Sequence, residues 1–391
     1  MKIGIITYSL NSGGVSTFIF SLGKYFVDQG HSVEIITEEQ KGVWFDNVQK
    51  YGLKSSFSNY GIYPWLPFGS ILYANKVGRF INNKMFDVVI LNYCLYAQIA
   101  AGIYNDASVI SVVHNVNKGV FQVAARNIDN IDKIVCVSQA VYNGMASYIK
   151  TEKLCVIPNG IDLPIIQPIF PKPLNGLLNI IFVGHLDHKQ KGVLFIPEIL
   201  VRIKSKGIKV HLSIVGDGKD KKLLKKQFKE FDIEEFATFY GVIPKEKVYD
   251  LYISSHIFLM PSFYEGLPLT LIESMSCGCV PVVSLLDNIT DFCIDDKIDG
   301  FLCKVSDVES FADNIIKLAM DTDLLNKMGK NSELKARRQF SIQRMGSEYT
   351  SLMNSIKKNE LKRSKFSISW RDFFPQKIFL LKTSIKTFFK I

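Results

Sequence analysis

Residues 263–273 read FYEGLPLTLIE and follow a short apolar run that ends at Met260-Pro261-Ser262. This order of residue types predicts a buried strand, a tight loop made possible by the glycine and proline, and a helix. Backbone N–H groups at the start of such a helix can bind an anion. Glu265 falls in the loop and Glu273 two turns into the expected helix, where both carboxylates could accept hydrogen bonds from sugar hydroxyls on either side of a diphosphate. The other interpretation is an ordinary connection with two solvated glutamates, because a single motif of this kind is weak evidence.

A second loop, which carries a cation, follows the apolar run Asn179–Val183. It reads GHLDHKQKG over residues 184–192, and Lys191 stands beside a glycine. A lysine just after the end of a strand is well placed to neutralise a phosphate group. A further glycine turn, Val215-Gly216-Asp217-Gly218, follows the next apolar run. These loops together strengthen the prediction of a diphosphate site.

Short apolar runs alternate with helix-like stretches along nearly the whole chain, a pattern typical of parallel sheets covered by helices. Between the first two runs, Ser16–Gln29 is predicted to be helical. In the first half the predicted strands are Ile3–Thr7, Ser32–Thr37, Val88–Leu91, Val109–Val113, Lys133–Val137 and Leu154–Ile157. In the second half they are Asn179–Val183, Val210–Val215, Ala237–Tyr240, Ile257–Met260 and Pro281–Val283. The segment Pro158–Leu178 contains five prolines and is predicted to be a linker.

A chain of 391 residues is too long for one ordinary core. We therefore predict an α/β protein of two doubly wound, Rossmann-like domains that face each other across a central cleft, with ligands at the carboxyl ends of the strands. The expected boundaries are 1–165 for the first domain and 166–340 for the second. A C-terminal helix over 341–358 is expected to return to the first domain, and a basic amphipathic tail covers 359–391.

The composition narrows the class of protein. Hydrophobic residues make up 47% of the chain and charged residues 21%, which indicates a soluble globular protein. No run approaches the roughly 20 apolar residues that span a bilayer. The opening residues, Met1 to Ser9, are predicted to form a buried strand rather than a secretory signal. Seven cysteines without regular spacing predict reduced, mostly buried thiols of a cytosolic protein, rather than disulfides or a zinc site.

The ordered set of motifs resembles the retaining glycosyltransferases of family 4, which have the GT-B fold. Their donor domain carries a strand–Gly–Arg loop closed by Lys-Gly, a V-G-x-G turn, and an E-G-x-P loop followed by a helix with a second glutamate. The resemblance extends over roughly residues 1–357. It includes Gly13-Gly14, Val112-Val113-His114-Asn115 and Pro158-Asn159-Gly160-Ile161-Asp162. Several signatures in the right order are far more specific than any one of them.

The resemblance implies that Lys191 binds the donor diphosphate, Glu273 the ribose hydroxyls and Glu265 the transferred sugar. His114 would lie near that sugar, so that His114, Lys191 and Glu265 form the implied catalytic group. Further donor contacts are implied for Gly13, Gly14, His185, Gly266, Leu267, Pro268 and Leu269. Among these, the two glycines of the first domain would let its loop close on the diphosphate and the acceptor, and backbone N–H groups of the 266–269 loop would assist Glu265.

One residue departs from the family pattern, because His185 occupies the position of the usual arginine. Arginine offers a permanent charge and a planar fork, whereas histidine titrates near neutrality. We expect His185 to contact phosphate but to help the leaving group less. No Asp-x-Asp motif follows a strand, so neither a divalent metal nor another cofactor is expected. The charge of the leaving group would be met by Lys191, His185 and helix N-termini.

The positive charge of the chain is concentrated in the tail. Of a net charge of +10, the segment from Lys357 to Ile391 contributes ten Lys or Arg against two acidic residues. Lys382, Lys386 and Lys390 recur every four residues opposite an apolar face, which suits adsorption to an anionic membrane. The alternative is a helix packed on the body of the protein with its lysines in water. No nucleic-acid-binding module accompanies the charge, so nucleic acid is not an expected partner.

The expected reaction moves a hexosyl or N-acetylhexosaminyl group, with retention, from a nucleoside-diphosphate sugar to a saccharide. The tail favours a lipid-linked acceptor, as in lipopolysaccharide, O-antigen or capsule assembly, at the inner face of the cytoplasmic membrane. Two alternatives stay open: a catalytically weak relative acting as a partner subunit, because His185 replaces arginine, and a sugar-nucleotide epimerase of similar architecture. An NAD-dependent oxidoreductase is poorly supported, because residues 9–14 lack the full GxGxxG fingerprint.

Overall fold

The computed structural model describes residues 1–11, 13–58, 69–104, 106–164 and 167–356. Contacts divide the chain into two compact units, one formed by Met1–Gly160 and the chain from Met345 on, the other by Ile161–Arg344. The division falls at Gly160 rather than at residue 165. Ile161 is buried in the second unit, where its N–H donates to the Phe340 carbonyl at 2.8 Å. The tail predicted over 359–391 lies outside the described residues.

The first unit is built on a parallel sheet. Its described strands are β1 (Lys2–Thr7), β2 (Ser32–Thr37), β3 (Lys54–Phe57), β4 (Val88–Asn92), β5 (Ser108–Val113), β6 (Lys133–Cys136) and β7 (Leu154–Val156). They lie in the order β3-β2-β1-β4-β5-β6-β7, and each neighbouring pair is parallel. The chain turns from one half of the sheet to the other between β1 and β4, which is the switch point where ligands bind in such folds.

Helices connect these strands, as parallel pairing requires. The helices of this unit are α1 (Gly14–Asp28), α2 (Gly69–Asn82), α3 (Leu95–Ile99), α4 (Lys118–Ala124) and α5 (Gln139–Met145). Short 3-10 turns cover Phe45–Tyr51, Ala100–Ile103, Ile128–Asn130 and Thr151–Lys153. Every residue of β4 and β5 is buried, because helices cover both faces of the sheet, and this explains their mostly apolar sequences.

The second unit repeats this plan. Its described strands are β8 (Leu178–Val183), β9 (Val210–Val215), β10 (Ala237–Gly241), β11 (Ile257–Met260), β12 (Val280–Ser284) and β13 (Phe301–Cys303). Their spatial order is β10-β9-β8-β11-β12-β13, again with parallel pairs throughout. The switch point therefore lies between β8 and β11. These are the strands that precede the two loops singled out from the sequence.

The helices of the second unit complete the core. They are α6 (His188–Lys191), α7 (Ile196–Ser205), α8 (Lys221–Glu230), α9 (Lys245–Ser254), α10 (Leu269–Ser276), α11 (Thr290–Cys293), α12 (Val308–Met320) and α13 (Thr322–Gln339), with 3-10 turns at Val193–Phe195 and Glu234–Phe236. A last helix, α14 (Ile342–Ser355), spans the division at Met345. Aliphatic and aromatic side chains of the strands and of the covering helices pack together in this core, among them Ile180, Leu212 and Leu259 of the sheet and Phe311 of α12.

Two predictions about the chain as a whole can be compared with this structure. The cysteines are free thiols, all buried except the half-buried Cys155, as the sequence predicted. Within the described ranges, no helix is both long and apolar enough to span a bilayer.

Candidate functional site

The switch point of the second sheet brings two loops together. β8 and β11 are neighbours, with Ile180 opposite Ile257, so the loops that follow them leave the same edge of the sheet. The loop after β8 contains residues 184–192 and the one-turn helix α6. The loop after β11 contains residues 261–268 and leads into α10. Both predicted diphosphate-binding segments therefore lie at the place where doubly wound sheets bind ligands.

An ion pair joins the two loops. The Nζ of Lys191 lies 2.6 Å from Oε1 of Glu265, and the two side chains are only 14% and 6% exposed. The sequence assigned these residues separate roles, one at the diphosphate and one at the sugar. The structure brings them into contact although they are 74 residues apart in the chain. A cation and a carboxylate shielded from water attract more strongly than an exposed pair, because the surrounding dielectric is lower.

Ser262 is a member of this cluster that the sequence analysis did not identify. Its hydroxyl donates to the same Oε1 of Glu265 at 2.8 Å, and the residue is fully buried. Serine is common in loops and turns. A contact with one particular carboxylate can only be seen once the fold places the two side chains together.

Gly192 lets the two loops approach. It ends α6 with a φ of 63°, in the left-handed region, and a Cβ there would lie 1.9 Å from the Pro261 carbonyl oxygen. Next to this contact, the Phe263 N–H donates to the Gln190 carbonyl at 2.8 Å. Only glycine satisfies both the backbone angle and the close approach. The Lys-Gly pair of the motif therefore supplies a cation and the backbone contact that sets it against the other loop.

The glycine turn after β9 joins the same edge. Gly216 has a φ of 132°, and a Cβ there would lie 1.9 Å from the Gly184 carbonyl oxygen. The Leu186 N–H donates to the Asp217 carbonyl at 2.9 Å, and the Asp220 N–H donates back to the Leu186 carbonyl at 3.0 Å. Three loops, after β8, β9 and β11, are thus connected through their backbones.

His185 lies at the exposed side of this edge, among charged residues. A hydrogen bond from Lys219 lowers the pKa of Asp187, and one from Lys221 lowers that of Asp217. His185 adds a smaller electrostatic contribution to both. The imidazole is therefore open to solvent and lies near acidic groups.

Glu273 lies closer to the start of its helix than predicted. Because α10 begins at Leu269, Glu273 is its fifth residue, one turn into the helix instead of two. Burial raises the pKa of Glu273 to about 7, while Lys245 opposes that shift and Asp162 adds to it. Tyr249 on α9 donates its hydroxyl proton to the Asp162 carbonyl at 2.9 Å. The carboxyl group is thus partly enclosed, near a lysine that favours its ionised form and an aspartate that opposes it.

The backbone before α10 supplies potential hydrogen-bond donors. Pro268 is the N-cap residue of α10, and the first turn follows at Leu269. The N–H groups of Gly266, Leu267 and Leu269 can donate hydrogen bonds to an anion. Pro268 was expected to take part as well, but it has no N–H group and cannot donate. Its contribution is a fixed φ at the start of the helix.

The remaining predicted residues belong to the first unit. Gly13 precedes α1 with a φ of 144°, and Gly14 is the first residue of that helix. His114 follows β5, with Nε2 3.1 Å from Oδ1 of Asn92 at the end of β4. Its ring meets the Phe18 ring of α1 edge-on, at a centroid distance of 4.8 Å. These residues therefore gather around the switch point of the first sheet.

Burial lowers the pKa of His114 to about 4. The imidazole is consequently neutral near pH 7, with one nitrogen able to donate and the other able to accept a hydrogen bond. It can orient a hydroxyl group but cannot supply a positive charge. The cationic side chain identified at the candidate site is Lys191, in the second unit.

Both units match models of known families. Residues 12–164 match the model described as Glycosyltransferase Family 4, and residues 170–335 match that of glycosyl transferases group 1. The chain belongs to glycosyltransferase family 4. It is therefore a glycosyltransferase, and the fold is of the GT-B type, as the motifs predicted.

Several proteins illustrate the family. N-acetyl-alpha-D-glucosaminyl L-malate synthase of Bacillus anthracis is 22% identical over 92% of this chain and 98% of its own length. An Escherichia coli enzyme named UDP-Gal:alpha-D-GlcNAc-diphosphoundecaprenol alpha-1,3-galactosyltransferase is 27% identical, over 55% of this chain and 56% of its own length. Among solved structures, Anabaena HepE in complex with UDP and glucose superposes with a TM-score of 0.75 at 17% identity, covering 91% of this chain and all of HepE.

Proposed function

We propose that this family 4 glycosyltransferase moves a hexosyl or N-acetylhexosaminyl group from a nucleoside-diphosphate sugar to a lipid-linked saccharide, with retention and without a metal ion. The observation that carries the proposal is the pair of Lys191 and Glu265 at the switch point of the second sheet. A shielded cation suits the leaving diphosphate, and the carboxylate beside it suits sugar hydroxyls. The two groups are 2.6 Å apart, so one bound donor can engage both.

In this mechanism the protein stabilises charge that develops as the glycosidic bond to the diphosphate breaks. Lys191 and the first turn of α10 hold the diphosphate, with His185 at the exposed side. Glu273 accepts hydrogen bonds from the ribose, and Glu265 orients the transferred sugar. For Gly13, Gly14 and His114 of the first unit, the proposal keeps the donor roles that the family resemblance implies, with His114 as a neutral hydrogen-bonding group. The acceptor hydroxyl attacks on the face from which the diphosphate leaves.

The lipid-linked acceptor and the location at the inner face of the cytoplasmic membrane rest on two supports. One is the excess of basic over acidic residues in the segment from Lys357 to Ile391. The other is the relative from Escherichia coli, whose name includes a diphosphoundecaprenol acceptor. An anionic membrane attracts such a segment, and this would bring the active site to substrates carried by lipid.

Thermal unfolding with UDP, GDP, ADP and CMP tests the donor site. A ligand that binds the folded state raises the melting temperature by an amount set by its concentration and affinity. We expect one nucleoside diphosphate to raise that of the wild type, and the shift to disappear in Lys191→Ala and Glu273→Ala. No shift at millimolar ligand in well-folded wild type would favour the catalytically weak partner subunit instead.

Two further measurements test the finer parts of the proposal. NMR of the product gives the anomeric configuration, and inversion would rule out the retaining mechanism. Turnover measured with EDTA tests whether the reaction needs a metal ion, because a site based on Lys191 should keep its full rate without divalent cations. Isomerisation of the donor in the absence of acceptor would identify an epimerase instead of a transferase.

A further inference from the structure

One oxygen atom of Glu265 receives two donors. Oε1 accepts from the Lys191 ammonium at 2.6 Å and from the Ser262 hydroxyl at 2.8 Å. One donor is charged and comes from the loop after β8. The other is neutral and comes from the chain that directly follows β11, three residues before Glu265 itself. The carboxylate is therefore held from two independent directions.

Binding of the donor diphosphate at Lys191 would draw its ammonium away from Glu265. Its ammonium is the cation proposed for the donor diphosphate, and a diphosphate is a stronger anionic partner than a single carboxylate. When the ammonium turns to phosphate, Glu265 stays behind as a negative charge on a side chain that is only 6% exposed. A shielded carboxylate that loses its partner is costly unless another donor remains.

We propose that Ser262 is a positioning residue that releases Lys191 for the donor. Its hydroxyl retains Glu265 when the ammonium exchanges the carboxylate for the diphosphate. This inference rests on the proposed function, since it requires a diphosphate to bind at Lys191. It adds a residue that neither the motif nor the family resemblance singles out, and it assigns that residue a step in donor binding.

The surroundings of Ser262 suit this task. The residue is fully buried, so water does not compete for its hydroxyl proton. Its neighbours on both sides are fixed against the Lys191 loop: the Pro261 carbonyl faces Gly192, and the Phe263 N–H donates to Gln190. A backbone held at both neighbours cannot follow Lys191 when the lysine side chain moves. Ser262 therefore stays within reach of Glu265 throughout the exchange.

A double-mutant cycle measured by calorimetric titration with UDP, GDP and ADP tests the inference. Ser262→Ala should weaken binding of the preferred nucleoside diphosphate about tenfold, the range expected for a hydrogen bond to a charged group. Glu265→Gln should bind at least as tightly as wild type, because a neutral amide does not hold the ammonium. In that background the loss of Ser262 should change affinity less than about twofold, since the carboxylate is absent.

Ser274→Ala is the matched control. Ser274 is equally buried, lies on α10, and donates its hydroxyl proton to a backbone carbonyl, that of Leu271, at 2.7 Å. Its replacement should leave nucleotide affinity unchanged. A merely structural role of Ser262 would weaken binding equally in the Glu265→Gln background. That additive result would overturn the inference.

Two outcomes separate this inference from the function on which it rests. Wild type that binds no nucleoside diphosphate would overturn both. Wild type that binds while Ser262→Ala binds equally well would overturn the inference alone. Should Ser262→Ala not fold, Ser262→Cys keeps the volume with a weaker donor. Ser262→Cys should then weaken nucleotide binding in the wild-type background but not in the Glu265→Gln background. Any other pattern contradicts the inference.

Discussion

Glu273 is predicted to make folding stability depend on pH. In the native protein the Glu273 carboxyl group keeps its proton until about pH 7, because its pKa is raised, whereas an exposed glutamate loses its proton near pH 4.5. The stability that this group contributes is therefore complete below pH 4.5 and is lost as the pH rises to 7. Full burial would make this change roughly 3 kcal/mol, and partial exposure reduces it. The difference in unfolding free energy between wild type and Glu273→Gln should fall by about 1–3 kcal/mol between these pH values.

Chemical unfolding at several pH values measures this difference. Glu235→Gln is a suitable control, because Glu235 is exposed on the same unit and its replacement should give no comparable slope. If the difference in unfolding free energy between wild type and Glu273→Gln did not change with pH, the carboxyl group would be solvated and ionised in the folded protein.

His185 gives a second prediction at the level of single residues. Replacement by arginine places a permanent charge and a planar fork at the exposed edge of the phosphate loops. His185→Arg should therefore tighten binding of the preferred nucleoside diphosphate several-fold, measured at pH 6 and at pH 8. Equal affinities and turnover at both pH values would exclude a phosphate contact by His185.

The sequence singled out the two ionic members of the Lys191–Glu265–Ser262 cluster but not the neutral one. Lys191 and Glu265 could be recognised because their charge and their place after a strand point to phosphate and sugar. Their contact could not be predicted, since it depends on β8 and β11 being neighbours. Ser262 was missed because a buried hydroxyl donor leaves no distinct pattern in sequence. The neutral state of His114 follows from burial, which also becomes visible only in the fold.

Among the elements, the loop closed by Gly192 makes the sharpest prediction. Gly192→Ala would set a methyl group 1.9 Å from the Pro261 carbonyl oxygen, in addition to the strain of a φ of 63°. The two loops must separate, so we expect the unfolding free energy to fall by about 3 kcal/mol or more. We also expect the nucleotide to stabilise this variant no longer. Thermal unfolding with and without the preferred nucleoside diphosphate measures both effects.

Gly207→Ala is the control for that variant. Gly207 has a similar φ of 70° in the same unit, but no atom lies within 4 Å of the position of its Cβ. Gly207→Ala should lower the unfolding free energy by only about 1 kcal/mol and leave nucleotide binding intact, because only the backbone conformation is strained. If the two variants behaved alike, the contact between the loops would not matter for the site.

The apolar content and the length of a strand affected whether the sequence predicted it. Strands such as β4 and β9 are buried over nearly their whole length, and their mostly apolar runs predicted them almost to the residue. The edge strands β3 and β13 were missed. β3 reads KSSF and has no fully buried residue, and β13 is three residues long. A run as polar as β3 or as short as β13 offers too little apolar pattern for single-sequence reasoning.

For the whole molecule, the proline-rich segment 158–178 that the sequence predicted as a linker lies almost entirely in the second unit. Proline marks where regular structure stops, but contacts decide which unit a residue joins. Ile161 joins the second unit through Phe340, and Lys172 is buried there, with its Nζ donating to the Ser255 carbonyl at 2.7 Å. Much of the proline-rich segment is therefore part of the second unit rather than a free connection.

The last prediction concerns the tail and the membrane. A chain ending at residue 358 should lose most of its binding to anionic liposomes in flotation assays, while the shift in melting temperature with nucleoside diphosphate stays the same. If the attraction is electrostatic, it should also fall with salt and with joint replacement of Lys382, Lys386 and Lys390 by glutamine. Neutral liposomes control for apolar adsorption. Equal flotation of full-length and shortened protein would mean that the basic residues do not bind the membrane, and the lipid-linked acceptor would then rest on the family relatives alone.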